Sequence, residues 1–279
     1  MPGLVVRGVR YEVEEGGSGA AVVLLHGFTG GLETWDAHLR ALDGLRAIRL
    51  DMLGHGRSEA PADPARYRME EVVEDLAAIL DALAVERAAV VGYSMGGRVA
   101  LRFGLAHPER CWALVLESAS PGIAEAEERE RRIEADEHLA RLLETEGIEA
   151  FVRYWESLPL WATQERLPQE VRQALRAQRL AQRPYGLANS LRGLGAGRDR
   201  SVLDRLGGLR LPVLLITGAL DEKYVALAAA MRARLPDARW VNVPGAGHAV
   251  HLEAPETFTQ VVSEFLRAHA PSRAERGVQ

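Results

Sequence analysis

Cysteine, lysine and long apolar runs are almost missing from this sequence. Cys111 is the one cysteine in 279 residues, so no disulfide can close within the chain and no thiolate cluster can hold a metal. Lys223 is the one lysine, and all other basic side chains apart from histidine are arginines. A net charge of −5 and a pI near 6.0 leave no basic excess of the kind that nucleic-acid binding requires. No apolar stretch approaches the roughly 18–20 residues of a membrane span. The start, MPGLVVRGVRYEVEEGG, has neither the basic opening nor the apolar stretch of a signal peptide. These absences predict a cytoplasmic protein without nucleic-acid or membrane partners; a monomer or a homodimer is expected, with no sequence feature that decides between them.

What is present is an alternation. AAVVLL (20–25), RAIRLD (46–51), AAVVGY (88–93) and WALVLE (112–117) are short apolar runs without polar alternation. Such runs suit parallel strands covered on both faces. MEEVVEDLAAILDAL (69–83) and MGGRVALRFGLAH (95–107) carry apolar residues at helical spacing, giving βαβ crossovers. LVVRGVRYEVEE reads as an antiparallel edge pair ahead of them. From about residue 121 to 200 the strand pattern stops and charged helical segments take over, among them PQEVRQALRAQRLAQR with Pro168 as its first helical residue. Strands return at PVLLITG (212–218) and RWVNVPG (239–245), each followed by a helix. The predicted organisation is one discontinuous α/β core (1–120 and 201–270), an all-helical lid (121–200) and a flexible tail (271–279).

GYSMG (92–96) fits G-x-S-x-G between a strand and a helix, the setting of a strained nucleophile turn. Alone, Ser94 could merely cap a helix. Its partners come in the required order: Asp221 lies just beyond one later strand and His248 beyond the next. That order, Ser…Asp…His, is the one used by the α/β-hydrolase triad, with each member at the C-terminal end of a strand. His251, three residues further on, is the competing histidine. HGFTG (26–30) follows the first buried strand, where the second oxyanion donor belongs, so the backbone N–H groups of Phe28 and Met95 would face a developing negative oxygen. His26, Asp51 and His55 read as loop braces. No histidine set has metal-ligand spacing and no phosphate-binding glycine motif follows a strand, so neither metal nor cofactor is expected.

The arginines narrow the chemistry. Arg98 stands one helical turn after Ser94. There it either meets an anionic substrate or pairs with a lid carboxylate, since an unpaired guanidinium beside a dry pocket costs several kcal/mol. Arg172, Arg176, Arg179 and Arg183 are spaced 4, 3 and 4, a like-charged stripe that needs negative charge from outside its helix or else is a solvated face. Arg132 has Glu128 at i−4, an ordinary surface pair.

GYSMGGR, LESASPG, AEERERRIEAD, FVRYWESLPLW, SLRGLGAG and PGAGHAVHLE together resemble the menaquinone-pathway lyase family of 2-succinyl-6-hydroxy-2,4-cyclohexadiene-1-carboxylate synthases. The resemblance runs from about residue 22 to 267 and includes the lid. It implies the α/β-hydrolase fold, a mostly parallel sheet with helices on both faces and an inserted helical lid. It also implies elimination of pyruvate from a small-molecule tricarboxylate without a cofactor. By the same resemblance Arg98, Arg132 and Arg176 would bind substrate carboxylates, and Tyr93 and Trp155 would line the pocket. Met95, where the family often has leucine, and the GALDEKY loop depart from its pattern. A carboxylesterase or C–C hydrolase with Ser94 as nucleophile is the alternative reading, and a non-catalytic binding protein a third.

Overall fold

The computed structural model describes residues 3–272; the expected tail lies almost wholly outside that range. Seven strands form the main sheet in the order β3-β5-β4-β6-β7-β8-β9. They are β3 (Val13–Gly16), β4 (Ala20–Leu25), β5 (Leu45–Leu50), β6 (Ala88–Tyr93), β7 (Cys111–Glu117), β8 (Val213–Gly218) and β9 (Ala238–Val243). Only β3 is antiparallel, at the edge beside β5. The first two strands, β1 (Leu4–Val6) and β2 (Val9–Tyr11), pair with each other outside this sheet, so the predicted edge pair splits in two. Arg7 and Gly8 both take positive φ, 48° and 78°, between Val6 and Val9. A two-residue turn of that kind matches strand twist and closes a private hairpin.

The central strands are buried on both faces, and their alternate residues feed two cores. Val23, Leu25, Val90 and Leu114 pack with α1 (Met69–Ala82) and α2 (Met95–Ala106). Val22, Leu24, Val91 and Val115 pack with Trp35, in a 3₁₀ segment over Leu32–Leu42, and with α9 (Pro255–His269). Helices therefore cover both faces, which is why the strand sequences are apolar throughout. The remaining core helices are α7 (Glu222–Arg232) and the short α8 (Val250–Glu253).

Between β7 and β8 come α3 (Ala126–Thr145), α4 (Gly147–Glu156), α5 (Gln169–Leu180) and α6 (Pro184–Leu194). Pro168 caps α5 as the residue before it, one position earlier than its sequence suggested. α6 carries no amphipathic signature of the charged kind, because PYGLANSLRGL lacks a charged face. It needs none: Gly186, Leu187, Ala188, Asn189, Ser190, Leu191, Gly193 and Leu194 are all buried. Gly186 lies against the Gly54 backbone and Gly193 against Tyr67 and the Pro64 carbonyl, where a Cβ would clash. Those two glycines let α6 settle directly onto the core and carry the other insertion helices with it. Leu139, Leu143, Phe151 and Trp155 form with Leu187 and Leu191 a third, separate core.

Candidate active site

Ser94 sits where β6 becomes α2, with φ 51° and ψ −105°. A positive φ at a non-glycine residue is a strained state that persists only when its surroundings enforce it. Here a Cβ on Gly92 would collide with the Gly96 carbonyl, and one on Gly96 with the carbonyls of Leu25 and His26. Glycine at both positions is what allows so sharp a turn. Ser94 N–H donates to the Glu117 carbonyl at 2.9 Å and its own carbonyl accepts from Arg98 N–H at 3.0 Å, which clamps the turn from both sides.

The predicted partners meet it. His248 Nε2 lies 3.0 Å from Ser94 Oγ, and His248 Nδ1 lies 2.6 Å from Asp221 Oδ2. Asp221 is the residue before α7 and also accepts from Tyr224 N–H at 3.4 Å. A carboxylate on Nδ1 fixes the tautomer that leaves Nε2 free to take the serine proton. The His248 ring is buried, wedged between Tyr224 at 4.5 Å, Tyr93 at 5.5 Å and Trp161 at 5.5 Å between centroids. His251, the rival, is committed elsewhere: its Nδ1 lies 2.9 and 3.0 Å from the two Glu117 carboxylate oxygens.

The neighbouring loops are braces. His26 Nε2 accepts from Met52 N–H at 2.9 Å, and Asp51 accepts from Leu32 N–H at 2.8 Å and Arg57 N–H at 2.7 Å. This ties the loop after β4, with Phe28, to the loop after β5. Met95 begins α2, so its amide has no acceptor inside the helix.

Ser94 opens into a cavity of about 80 Å³ between core and insertion. Phe28, Met95, Tyr93, Trp155, Arg98 and Arg132 all line it, together with Trp161 and Tyr224. Its two charged lining residues are both arginines. Arg98 is buried; it donates to the Leu194 carbonyl at 2.6 Å and faces Asp199 Oδ2 at 3.4 Å. It thus lines the chamber and touches a carboxylate of the insertion, the pairing that was one of the two options open for it. Arg132 pairs with Asp136 at 2.9 Å instead of Glu128. Burial pushes the Asp136 carboxyl above its usual range, while Arg132 pulls it back.

Arg176 is the exception. It is not among the residues lining the chamber, and its half-exposed side chain is ion-paired with Glu156 of α4. The negative charge that the α5 stripe required comes from the protein itself. Arg179, one turn on, is the buried member: it reaches Glu156 and Gln164, each at 3.1 Å, with its guanidinium 5.5 Å from the Trp161 ring centre. Burial lowers its pKa and Glu156 raises it. Arg172 is exposed, and Arg183 bonds the Ser58 carbonyl. Among the described residues no group of three or more His, Cys, Asp or Glu side chains could hold a metal ion.

Residues 20–255 match the alpha/beta hydrolase fold family. A Bacillus subtilis (strain 168) protein, provisionally named 2-succinyl-6-hydroxy-2,4-cyclohexadiene-1-carboxylate synthase, is 46% identical over 261 residues, covering 93% of this chain and 95% of the relative. The chain belongs to this synthase family. It is an enzyme of the lyase type built on the α/β-hydrolase fold. The solved structure of MenH from S. aureus superposes with a TM-score of 0.89 at 33% identity, over 94% of this chain and 99% of that one. The enol-lactonase from Burkholderia xenovorans LB400 superposes at 0.82 with 25% identity, over 95% and 100%. The scaffold is shared with hydrolases, and what sets this chain apart has to be sought in its chamber.

Two chamber residues, Trp161 and Tyr224, escaped the sequence reading. Trp161 lies in a 3₁₀ segment (Pro159–Arg166) and closes the motif FVRYWESLPLW, so the signal was present. The indole N–H groups of Trp155 and Trp161 are buried and have no hydrogen-bond partner among the described residues. Tyr224 stands three residues after Asp221, and that spacing was the available cue. Burial raises its phenol pKa, with Arg132 and Arg98 opposing the rise.

Proposed function

We propose that this enzyme eliminates pyruvate from 2-succinyl-5-enolpyruvyl-6-hydroxy-3-cyclohexene-1-carboxylate, giving 2-succinyl-6-hydroxy-2,4-cyclohexadiene-1-carboxylate for menaquinone biosynthesis in the cytoplasm. The observation that carries this reading is a chamber holding the Ser94 hydroxyl together with two guanidiniums and no acidic lining residue. An ester of uncharged parts has no use for such a wall. A substrate with three carboxylates does.

His248 takes the Ser94 proton, and the alkoxide removes the ring proton next to the succinyl carbonyl. Negative charge moves onto that carbonyl oxygen, held by the Phe28 and Met95 amides. When the carbonyl re-forms, a C=C forms at the deprotonated ring carbon, the existing ring C=C shifts by one bond, and the ring C–O bond to the enolpyruvyl group breaks. The departing pyruvate enolate takes a proton back from Ser94, which His248 re-supplies. Asp221 stabilises the imidazolium throughout. Ser94 acts as a base, and no acyl-enzyme forms. Arg98 and Arg132 hold carboxylates, with Tyr93 and Trp155 as walls.

An 80 Å³ space is well below the roughly 300–1,000 Å³ of ordinary ligand pockets, so residues 121–200 act as a lid that must lift to admit substrate. Arg176 joins the carboxylate clamp by leaving Glu156 during that movement. The test is to supply the enolpyruvyl substrate and follow pyruvate through lactate dehydrogenase, with p-nitrophenyl esters in parallel. Pyruvate release without a trapped acyl-serine is the expected result. Efficient ester cleavage through a covalent acyl-serine, with no pyruvate, would replace the lyase reading by a hydrolase.

A further inference from the structure

A second and far larger cavity lies against the chamber. It has a volume of about 720 Å³ and is walled by α1, α2, the end of α6 and the segment that follows it. Arg98, Leu194 and Gly195 line both spaces, so a single layer of residues separates the two. Seven arginines face this cleft against four acids, on a chain whose net charge is −5.

The pairing is uneven. Arg192 is held by Glu137 and Glu144, and Asp199 is shared by Arg98 and Arg102. Glu74 is occupied with His107. Arg68, Arg198, Arg200 and Arg205 are exposed, and among the described residues none of their side chains has a hydrogen-bond or ion-pair partner. Four uncommitted guanidiniums around one concave surface focus positive potential there. Leading inward, the next cation is Arg98, whose contact with Asp199 at 3.4 Å is long for a charge-assisted hydrogen bond.

We infer that this cleft is an anion-binding vestibule, which collects small polycarboxylates beside the Arg98–Leu194–Gly195 wall and delivers them to the chamber when the lid, which carries Leu194 and Gly195, lifts. Arg68, Arg198, Arg200 and Arg205 attract the carboxylates, and Arg98 is the residue that faces both spaces. The identity of the polycarboxylate as the enolpyruvyl substrate rests on the lyase reading; the vestibule itself does not.

The experiment uses the full chain carrying R198A, R200A and R205A together, compared with wild type and with R210A/R232A/R239A. The latter removes the same charge at exposed positions outside both cavities. At low ionic strength the vestibule variant should lose about 5–30-fold in kcat/KM with kcat little changed, and its salt dependence should flatten. Binding of citrate, a tricarboxylate probe that needs no turnover, should weaken in parallel by calorimetry. The control should stay within about twofold of wild type on both readouts. If wild type releases no pyruvate yet citrate binding still depends on the three arginines, the vestibule stands and only the lyase reading falls. Wild-type salt dependence and citrate affinity in the vestibule variant, or equal losses in the control, overturn the proposal. Melting curves identify a variant that fails to fold; single substitutions at Arg198 and Arg200 then carry the same test.

Discussion

Arg98 and Asp199 face each other at 3.4 Å inside the protein, and neither has the other to itself. Arg98 also bonds the Leu194 carbonyl, while Arg102 grips the second Asp199 oxygen. Removing Arg98 therefore leaves Asp199 still paired, which limits the structural cost of a buried orphan charge. Arg98→Ala should lower kcat/KM on the tricarboxylate by about 30–1,000-fold, the worth of about 2–4 kcal/mol of transition-state stabilisation. Its melting temperature should move by only a few degrees. A variant equally active but much less stable would make Arg98 a purely structural residue.

Ser94 supplies the base in this scheme and His248 holds its proton. Ser94→Ala should reduce pyruvate formation by at least about 1,000-fold, since triad members act as a unit. Binding of the carboxylated product should persist, because the arginines proposed to hold it are untouched. Calorimetry on the purified variant separates the two effects. Normal turnover would remove the triad from the mechanism.

Tyr224 packs edge-on against His248 at 4.5 Å and lines the chamber beside Ser94. A hydrogen bond with Ser94 is among the influences on its phenol. Tyr224→Phe keeps the ring that braces the histidine and deletes only the hydroxyl. It should cut kcat about 3–10-fold, as expected for one neutral hydrogen bond, and leave the melting temperature unchanged. An unchanged kcat would reduce Tyr224 to packing.

The triad was legible because it depends on chain order and on strand ends, which local patterns reveal. Gly92, Gly96 and Ser94 were readable for the same reason: the turn is built within five residues. What stayed hidden depends on contacts between helices. Nothing in α5 says that Glu156 of α4 will take Arg176 while Arg179 turns inward. Arg132 had an acid on either side of it, and the choice of Asp136 over Glu128 follows from how α3 packs on α6 and the segment after it. α6 was invisible because its burial on nearly every side erases the amphipathic signal that identifies helices in sequence.

Glu156 carries two guanidiniums, and one of them, Arg179, is buried. Glu156→Gln keeps the shape and removes the charge, leaving Arg179 with neutral partners only. The expected loss is about 1–3 kcal/mol, or about 2–8 °C in melting temperature for a chain of this size. Glu156→Gln should also free Arg176, so KM for the tricarboxylate should fall or hold steady even as stability drops. A rise in KM with unchanged melting would show that Glu156 positions the clamp instead of restraining it.

Acid sensitivity should come first from histidines. Burial, helped by repulsion from His251, lowers His38 from 6.5 to about 4; burial, helped by His26, lowers His55 to about 3. Both rings must be neutral in the folded state, whereas the unfolded chain binds protons on them below about pH 6.5. The stability they contribute is thus complete above that pH and drains as pH falls toward 4, at about 1.4 kcal/mol per pH unit for each ring. Glu137 and Glu144, whose pKa values are lowered chiefly by Arg192, act in the opposite range, losing their contribution only below about 4.5. Urea midpoints between pH 7 and 5 therefore isolate the histidines. They should fall steadily across that window in wild type and less steeply in His38→Gln, which keeps a hydrogen-bonding side chain opposite Thr259. A flat midpoint from pH 7 to 5 would mean that these rings reach water and take up protons without unfolding.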